Sequence, residues 1–514
     1  MARIPQTLFI NEFQKGASEN ASIGVGSLVG VETYSKKGVA QLTKDTTKVS
    51  GSVVTDLVTC FSAKDQDNIF GQGDTGKVYK STDGGLTWID ISPGVLGTGH
   101  GIVFYENYLL AFRGSSVDYL ASPYTSSDWT QGWLTGLDTA NVITHFPFIF
   151  PGNNTVYFAN MNKVGRIGLG TGPTFDPATP GTGYSYSLAA ITLPSFYVIN
   201  CISFLPGNYL VLGTSSVNQL QVADIIKWNP NLSTYETPLR LYGTVNGGVR
   251  QLINRNNILY AVTSGSTCIF ETNGTTFNQV ADLSLRTNIR SVNGAQQTQP
   301  ILLFPHPYAI SVFGNKLLTG IGVNNSYTPD GYFPAGVWSV AFTDEGQAVQ
   351  CEYTISTGTV VATTNYDIGA IFPLADGFFS KTSLLSWRDG NNYGIDGVEL
   401  YFYQNNINDV IIESEMMEIG TPLEPAVVQN LQINLTRNLI PGQFIDVYYR
   451  TSFDQDFTLM QSFDPTIDGS STGYKILKNS IGQTRFVQFQ IKMKTGTDNA
   501  SRQLTPEIRN IIIQ

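Results

Sequence analysis

Ser81-Thr82-Asp83-Gly84-Gly85-Leu86-Thr87-Trp88 constrains the chain more than any other stretch, because its residue order is that of a tight hairpin turn. Asp83 can accept hydrogen bonds from backbone amides further along the turn, and Gly84 and Gly85 supply positive φ. Trp88 can fold back over the top. Val78-Tyr79 before the turn and Trp88 to Ile91 after it read as the two strands it joins.

The octapeptide fits Ser-x-Asp-x-Gly-x-Thr-Trp and so resembles the Asp-box, a hairpin turn of β-propeller blades found in hydrolases, sorting receptors and virion proteins alike. It selects a fold and not a function. Its defining residues, Ser81, Asp83, Gly85, Thr87 and Trp88, are expected to be structural. A propeller must repeat, and one unit does recur: a turn, usually ending in Asn, followed by about four apolar residues. It stands at Asn68-Ile69-Phe70, Asn107 to Leu110, Asn154 to Phe158, Asn208 to Leu212, Asn257 to Tyr260 and Asn315 to Leu318, with a weaker copy at Gly377-Phe378-Phe379. The spacings of 39, 47, 54, 49, 58 and 62 residues suit four short strands and their loops. Seven copies predict about seven blades. Gly274-Thr275-Thr276-Phe277 and Ser233-Thr234-Tyr235 echo the Asp-box position without its Asp.

Composition agrees with an all-β chain: 51 Gly, 25 Tyr and 29 Phe, only 14% charged residues, and no long stretch of helical apolar spacing. Three parts are expected. Residues 1–52 alternate Gly with Ser, Thr and Lys and form an extended arm, too poor in apolar groups for its own core, that pairs with the propeller or with a neighbouring subunit. Residues 53–405 form the β-propeller. Residues 406–514 form an antiparallel β-sandwich, since Leu431 to Thr436 and Val487 to Lys494 alternate apolar with polar and predict strands dry on one face and wet on the other. Phe444 to Arg450 and Ile508 to Ile513 read as further strands. The N-terminus lacks a secretory signal pattern, and no membrane-spanning segment is expected.

Catalytic and metal-binding signatures are sparse. Cys60, Cys201, Cys268 and Cys351 lack Cys-x-x-Cys spacing and read as buried thiols. His100, His145 and His306 lie far apart, and none is expected to be catalytic or to bind metal. Asp65-Gln66-Asp67 is explained by an Asp-rich turn without calcium. No cofactor is expected. Arg3-Ile4-Pro5 together with the Asp-box resembles the sialidases, which would make the protein a glycoside hydrolase. The tripeptide, however, lies about fifty residues upstream of the first convincing strand, and neither the partner arginines nor a tyrosine nucleophile can be assigned.

A second resemblance spans most of the chain. An arm carrying Ile4-Pro5-Gln6, Lys36-Lys37-Gly38 and Leu42-Thr43-Lys44-Asp45, then a propeller, then a sandwich closing on Thr505-Pro506-Glu507-Ile508-Arg509-Asn510, is similar to the propeller-bearing tail nozzle of short-tailed bacteriophages. The resemblance implies a non-enzymatic virion protein, assembled in the host cytoplasm, in a ring of six identical subunits. It would dock on an adaptor or other tail protein and pass DNA without base-specific contacts. The net charge of −10, from 30 Lys plus Arg against 40 Asp plus Glu, suits a conduit that does not hold phosphate. The alternative is a tail propeller that binds a host receptor or glycan through an aromatic patch around Tyr119, Trp129 and Trp133, unless these pack between blades.

Overall fold

The structure is a computed structural model. It describes residues 8–10, 25–29, 31–32, 41–42, 46–48 and 53–513, except 66, 96, 141–143, 218–222, 242–247, 265–266, 284–302, 314–315, 324–335, 344–345, 356–365, 375–380, 400–408, 415, 420–424, 429, 453–454, 466–473, 478–480 and 496–505.

Five consecutive four-stranded antiparallel meanders follow one another along the chain. Blade 1 is Val58–Asp65, Asn68–Gly73, Val78–Ser81 and Ile89–Asp90; blade 2 runs from Gly99–Tyr105 to Trp129–Thr135, and blade 3 from Phe148–Phe150 to Tyr184–Thr192. Blade 4 runs from Tyr197–Leu205 to Leu239–Arg240, and blade 5 from Val249–Arg255 to Phe277–Asp282. Leu303–Phe313, Lys316–Val323, Gly336–Thr343 and Gly346–Thr354 make blade 6. Blade 7 takes Tyr366–Pro373, Lys381–Asp389 and Asn392–Glu399 from its own segment and its outer strand, Thr46–Lys48, from the arm. The first strand of each blade touches the first strand of the next, and Tyr366–Pro373 returns to Val58–Asp65. The Ser386 hydroxyl seals that junction by donating to the Val58 carbonyl at 2.5 Å. The fold is therefore a closed β-propeller followed by a β-sandwich.

The recurrent Asn has a backbone cause. The first two strands of blades 2 and 5 are joined by two-residue turns whose central residues all have positive φ: Glu106 (52°) and Asn107 (85°), Asn256 (50°) and Asn257 (68°). Asn154 (49°) and Asn208 (69°) occupy the same place in blades 3 and 4. Asn tolerates the left-handed region because its short side chain bonds locally, and such turns match the twist of the strands they join. The apolar residues that follow are the second strands of blades 1 to 6, buried on both faces between neighbouring blades: Leu109, Leu110, Val156, Phe158, Leu210, Leu212, Leu259 and Leu317 are all fully buried. Gly377-Phe378-Phe379 lies outside the described residues.

The sandwich core packs Leu431, Ile433, Ile508, Ile511 and Ile513 of one sheet against Ile445, Val447, Val487, Phe489, Ile491 and Met493 of the other. The terminal strand Ile508–Ile513 sits between Leu431–Leu435 and the arm strand Leu8–Ile10. A second arm strand, Val25–Val29, pairs antiparallel with Asp409–Ser414 and meets Gly346–Thr354 of blade 6 at Val29 and Cys351. The arm thus pairs with both the propeller and the sandwich of its own chain.

Leu431–Leu435 alternates as expected, but Phe486–Lys494 does not. Its polar face is covered too, so Gln488 and Gln490 are buried, and their amides are satisfied inside the protein. Gln488 accepts from Arg450 Nε at 2.8 Å and donates to the Ser414 carbonyl at 2.7 Å; Gln490 donates to Glu413 at 2.5 Å. Centrally placed polar side chains survive burial only with such partners.

Candidate functional site at the propeller axis

The Ser81–Trp88 turn joins the third and fourth strands of blade 1. Asp83 Oδ1 accepts from the amides of Leu86 (3.0 Å) and Thr87 (2.8 Å) and from the Ser81 hydroxyl (2.8 Å), while Oδ2 accepts from the Thr87 hydroxyl (2.7 Å). Ser81 Oγ in turn accepts from Gly85 N at 2.8 Å, and the Trp88 indole donates to the Gly85 carbonyl at 3.2 Å. Partial burial raises the Asp83 carboxyl, but the bonds from Thr87, Ser81 and Leu86 outweigh it and hold the group below its ordinary value. The side chains of Ser81, Asp83, Thr87 and Trp88 are spent on the turn itself.

The chemistry of the described residues gathers elsewhere. In six blades the innermost strand is bulged near its start: at Thr59, His100, Asn200, Arg250, Gly369 and, with four residues standing opposite Gly320 alone, His306 to Ala309. A bulge leaves its extra residue outside the ladder and re-aims its side chain. In blade 3 the corresponding place is Thr144-His145, just ahead of Phe148–Phe150. There the Thr144 hydroxyl donates to the His100 carbonyl at 2.5 Å, and His145 N donates to the same carbonyl at 2.9 Å. The imidazoles of His100 and His145 consequently lie 4.8 Å apart, edge to face.

The large bulge of blade 6 is pinned by Gln251 of blade 5. Its amide donates to the carbonyls of His306 (2.7 Å) and Ala309 (3.0 Å) and accepts from the Thr319 hydroxyl (2.6 Å). Tyr308, carried on that bulge, crosses the axis. Its ring stacks on Phe146 of blade 3 at 4.3 Å, its hydroxyl lies 3.4 Å from the Pro147 carbonyl, and it packs against the cores shared by blades 1, 2 and 7. Gly101 of blade 2 is required where the tyrosine passes, since a Cβ there would stand 3.0 Å from its hydroxyl and 2.7 Å from Pro147 Cδ. The axis is filled at this level.

Burial sets the electrostatics. His145 is pushed down to about 4 by desolvation, with His100 adding to it; His306 is pushed down to about 4 by desolvation and by the charge of Arg250. Both rings are neutral at pH 7. Burial lifts the Cys60 thiol to about 12 and the Tyr308 hydroxyl well above its usual value. These groups are neither acids nor bases near neutrality. Between blades 7 and 1, Asp367 is raised to about 6 by desolvation and by Asp74, against Arg388, which stands 3.8 Å away.

All four cysteines are buried free thiols. Asp65 accepts from Asp67 N (3.0 Å) and Asn68 Nδ2 (2.9 Å), a self-contained turn. Among the described residues no group of three His, Cys, Asp or Glu side chains is placed to hold a metal ion, and no helix is long and apolar enough to cross a membrane. Arg3-Ile4-Pro5 lies outside the described residues. The three aromatics of the receptor alternative pack between blades. The Trp129 indole donates to Ile91 of blade 1 at 2.8 Å, and Trp133 donates to Pro177 at 2.9 Å while packing on Tyr184 and on Tyr119.

No family model and no curated protein matches the sequence. The chain is similar in structure to YCF48 bound to D1 peptide, at 13% identity over 74% of this chain and 100% of that one, with a TM-score of 0.43. It is also similar to the WD40 β-propeller domain of Doa1 (11% identity, 69% and 96% covered, TM-score 0.41) and to BamB from Moraxella catarrhalis (9%, 77% and 96%, TM-score 0.36). These are likenesses of fold among propellers. The blade assignment above rests on the strand pairing itself.

Proposed function

We propose that this protein is a non-enzymatic structural component of a bacteriophage tail, one subunit of a closed ring that passes DNA during ejection. The observation that carries the reading is the character of the axis. The place where a propeller would gather catalytic groups is filled by Tyr308, and His145, His306 and Cys60 are held neutral by burial. Such a centre supports packing and binding better than proton transfer.

Two further features support it. The arm strands Leu8–Ile10 and Val25–Val29 in the sandwich and Thr46–Lys48 in blade 7 tie the ends of the chain together, which suits a part that must bear load. The acidic balance leaves the ring's lumen without built-in attraction for phosphate. A head-to-tail contact that closes produces a ring, and a conduit requires closure.

Native mass spectrometry and electron microscopy of the full chain test the proposal. The expected result is a closed ring of identical subunits, six by the tail-nozzle resemblance, whose lumen shows carboxylates, amides and hydroxyls in excess of Lys and Arg. A monomer at high concentration, or propellers placed on fibres away from the tail axis, would sink it.

A further inference from the structure

Arg250 differs from the arginines that have a carboxylate partner. Arg113 pairs with Asp118, Arg240 with Asp224, Arg388 with Asp367 and Arg485 with Glu418. Arg250, on the bulge of blade 5's innermost strand, has no carboxylate within ion-pair distance among the described residues. Its only side-chain hydrogen bond there is a long one, 3.4 Å from Nη1 to Asn200 Oδ1 on the matching bulge of blade 4. Asn200 is itself fixed, donating from Nδ2 to the Val249 carbonyl at 2.8 Å and accepting from Ser215 at 3.4 Å. His306 lies within range of its charge, and its buried Nδ1 has no hydrogen-bond partner among the described residues. Arg250, His306 and Tyr308 each keep some accessible surface. The guanidinium is therefore not sealed off from solvent.

We propose that the Arg250 guanidinium, on its bulge at the propeller axis, is a binding site for a single carboxylate group. A desolvated cation without a counter-charge costs stability, and an oxyanion bound to the guanidinium would recover that cost through charge-assisted hydrogen bonds. The charge available selects the ligand. Desolvation lowers Arg250 only to about 10, so it stays cationic at pH 7, whereas His306 and His145 are neutral. One positive charge on a planar fork matches the two oxygens of a carboxylate, and it leaves the dianionic share of phosphate at pH 7 half uncompensated. The site is independent of the ring assembly, and its test needs no ring.

Thermal unfolding of the full chain at pH 7 decides the matter, comparing sodium acetate with sodium chloride and sodium phosphate at equal ionic strength. Acetate should raise the melting temperature saturably, beyond chloride and phosphate. Arg250→Gln should melt higher than the parent without ligand and bind acetate at least tenfold more weakly. Asn200→Asp places a carboxylate beside the guanidinium and should remove the acetate response. A short peptide ending in a free carboxylate, set against its C-terminal amide, separates the sources. Saturation by the free-acid peptide at least tenfold below acetate assigns the site to a chain-borne carboxylate, and parity assigns it to a small acid. The proposal is overturned if acetate does no more than chloride, or if phosphate stabilises more. It also fails if Arg250→Gln melts lower without ligand, or if Asn200→Asp folds and keeps the full acetate response.

Discussion

Blade 1 and blade 5 turn between their third and fourth strands by one physical device written in two spellings. In blade 1, Ser81 caps Gly85 N, Asp83 takes the next two amides, Gly85 stands at φ 88°, and Trp88 closes over the turn. In blade 5, Thr272 Oγ1 takes Gly274 N at 3.0 Å, and Asn273 Oδ1 takes the amides of Thr275 (3.0 Å) and Thr276 (3.2 Å). Gly274 stands at φ 94°, and Phe277 packs edge-on to Phe270 at 5.5 Å. The second turn is two residues shorter and lacks the acid, yet keeps the hydroxyl, the acceptor oxygen, the left-handed glycine and the aromatic. What the fold requires is an oxygen at that point in the turn, and the charge is an addition. Ser233-Thr234-Tyr235 lies in the same connection of blade 4, where Asn229 accepts from Asn231 N and the Trp228 indole donates to the Leu232 carbonyl.

The glycines give the largest expected effects. A Cβ at Gly85 would stand 2.7 Å from Leu384 Cδ2 as well as adopting a left-handed backbone, while one at Gly274 would stand 3.0 Å from Leu205 Cδ1. Gly85→Ala should cost about 2–3 kcal/mol and Gly274→Ala about 1–2 kcal/mol in chemical denaturation. Equal costs would mean that packing against blade 7 adds nothing to the blade 1 turn.

The acceptors come next. Asp83→Ala removes the acceptor of four hydrogen bonds and should cost about 1–2 kcal/mol; Asn273→Ala should cost about 0.5–1 kcal/mol, as for other lost side-chain caps. Blade 1 should bear the greater loss because Asp83 also holds two hydroxyls. If the folded Asp83→Ala protein instead lost a sugar-binding or hydrolytic activity, the turn would be a site and not a brace.

This equivalence explains what could be read before the structure. Asn107, Asn208 and Asn257 announced their blades because a left-handed turn position leaves few residues to choose from. The arm's partner strands and register could not be read, since Thr46–Lys48 finds its register only once Asn392–Glu399, some 350 residues later, is in place. Nor could the axial group. A one-residue bulge leaves no mark in an apolar strand, and His100 and His145, judged singly, looked unrelated. Their separation of 45 residues (145 − 100) is one blade's length, and that spacing was the available signal. Buried Gln488 and Gln490 mimicked a wet face because alternation cannot tell water from a satisfied amide.

The smallest expected difference is the one that isolates the charge. Asp83 sits below its ordinary value in the folded protein, so the unfolded chain binds more protons over the range between the two values. Its contribution is therefore complete above the unfolded carboxyl value of about 4 and is lost as pH falls through the folded one. Asp83→Asn keeps an acceptor oxygen, as blade 5 does, but cannot titrate. The parent should exceed this variant in stability by under about 1 kcal/mol at pH 6, the carboxylate being largely screened by solvent, and the gap should close as pH falls below 4. Groups common to both proteins, including His145, His306 and Asp367, cancel in the difference, so paired urea unfolding curves from pH 6 to 3 read the single carboxylate. A gap unchanged across that range would show that Asp83 acts through geometry alone, making the turns of blades 1 and 5 the same in energy as well as in shape.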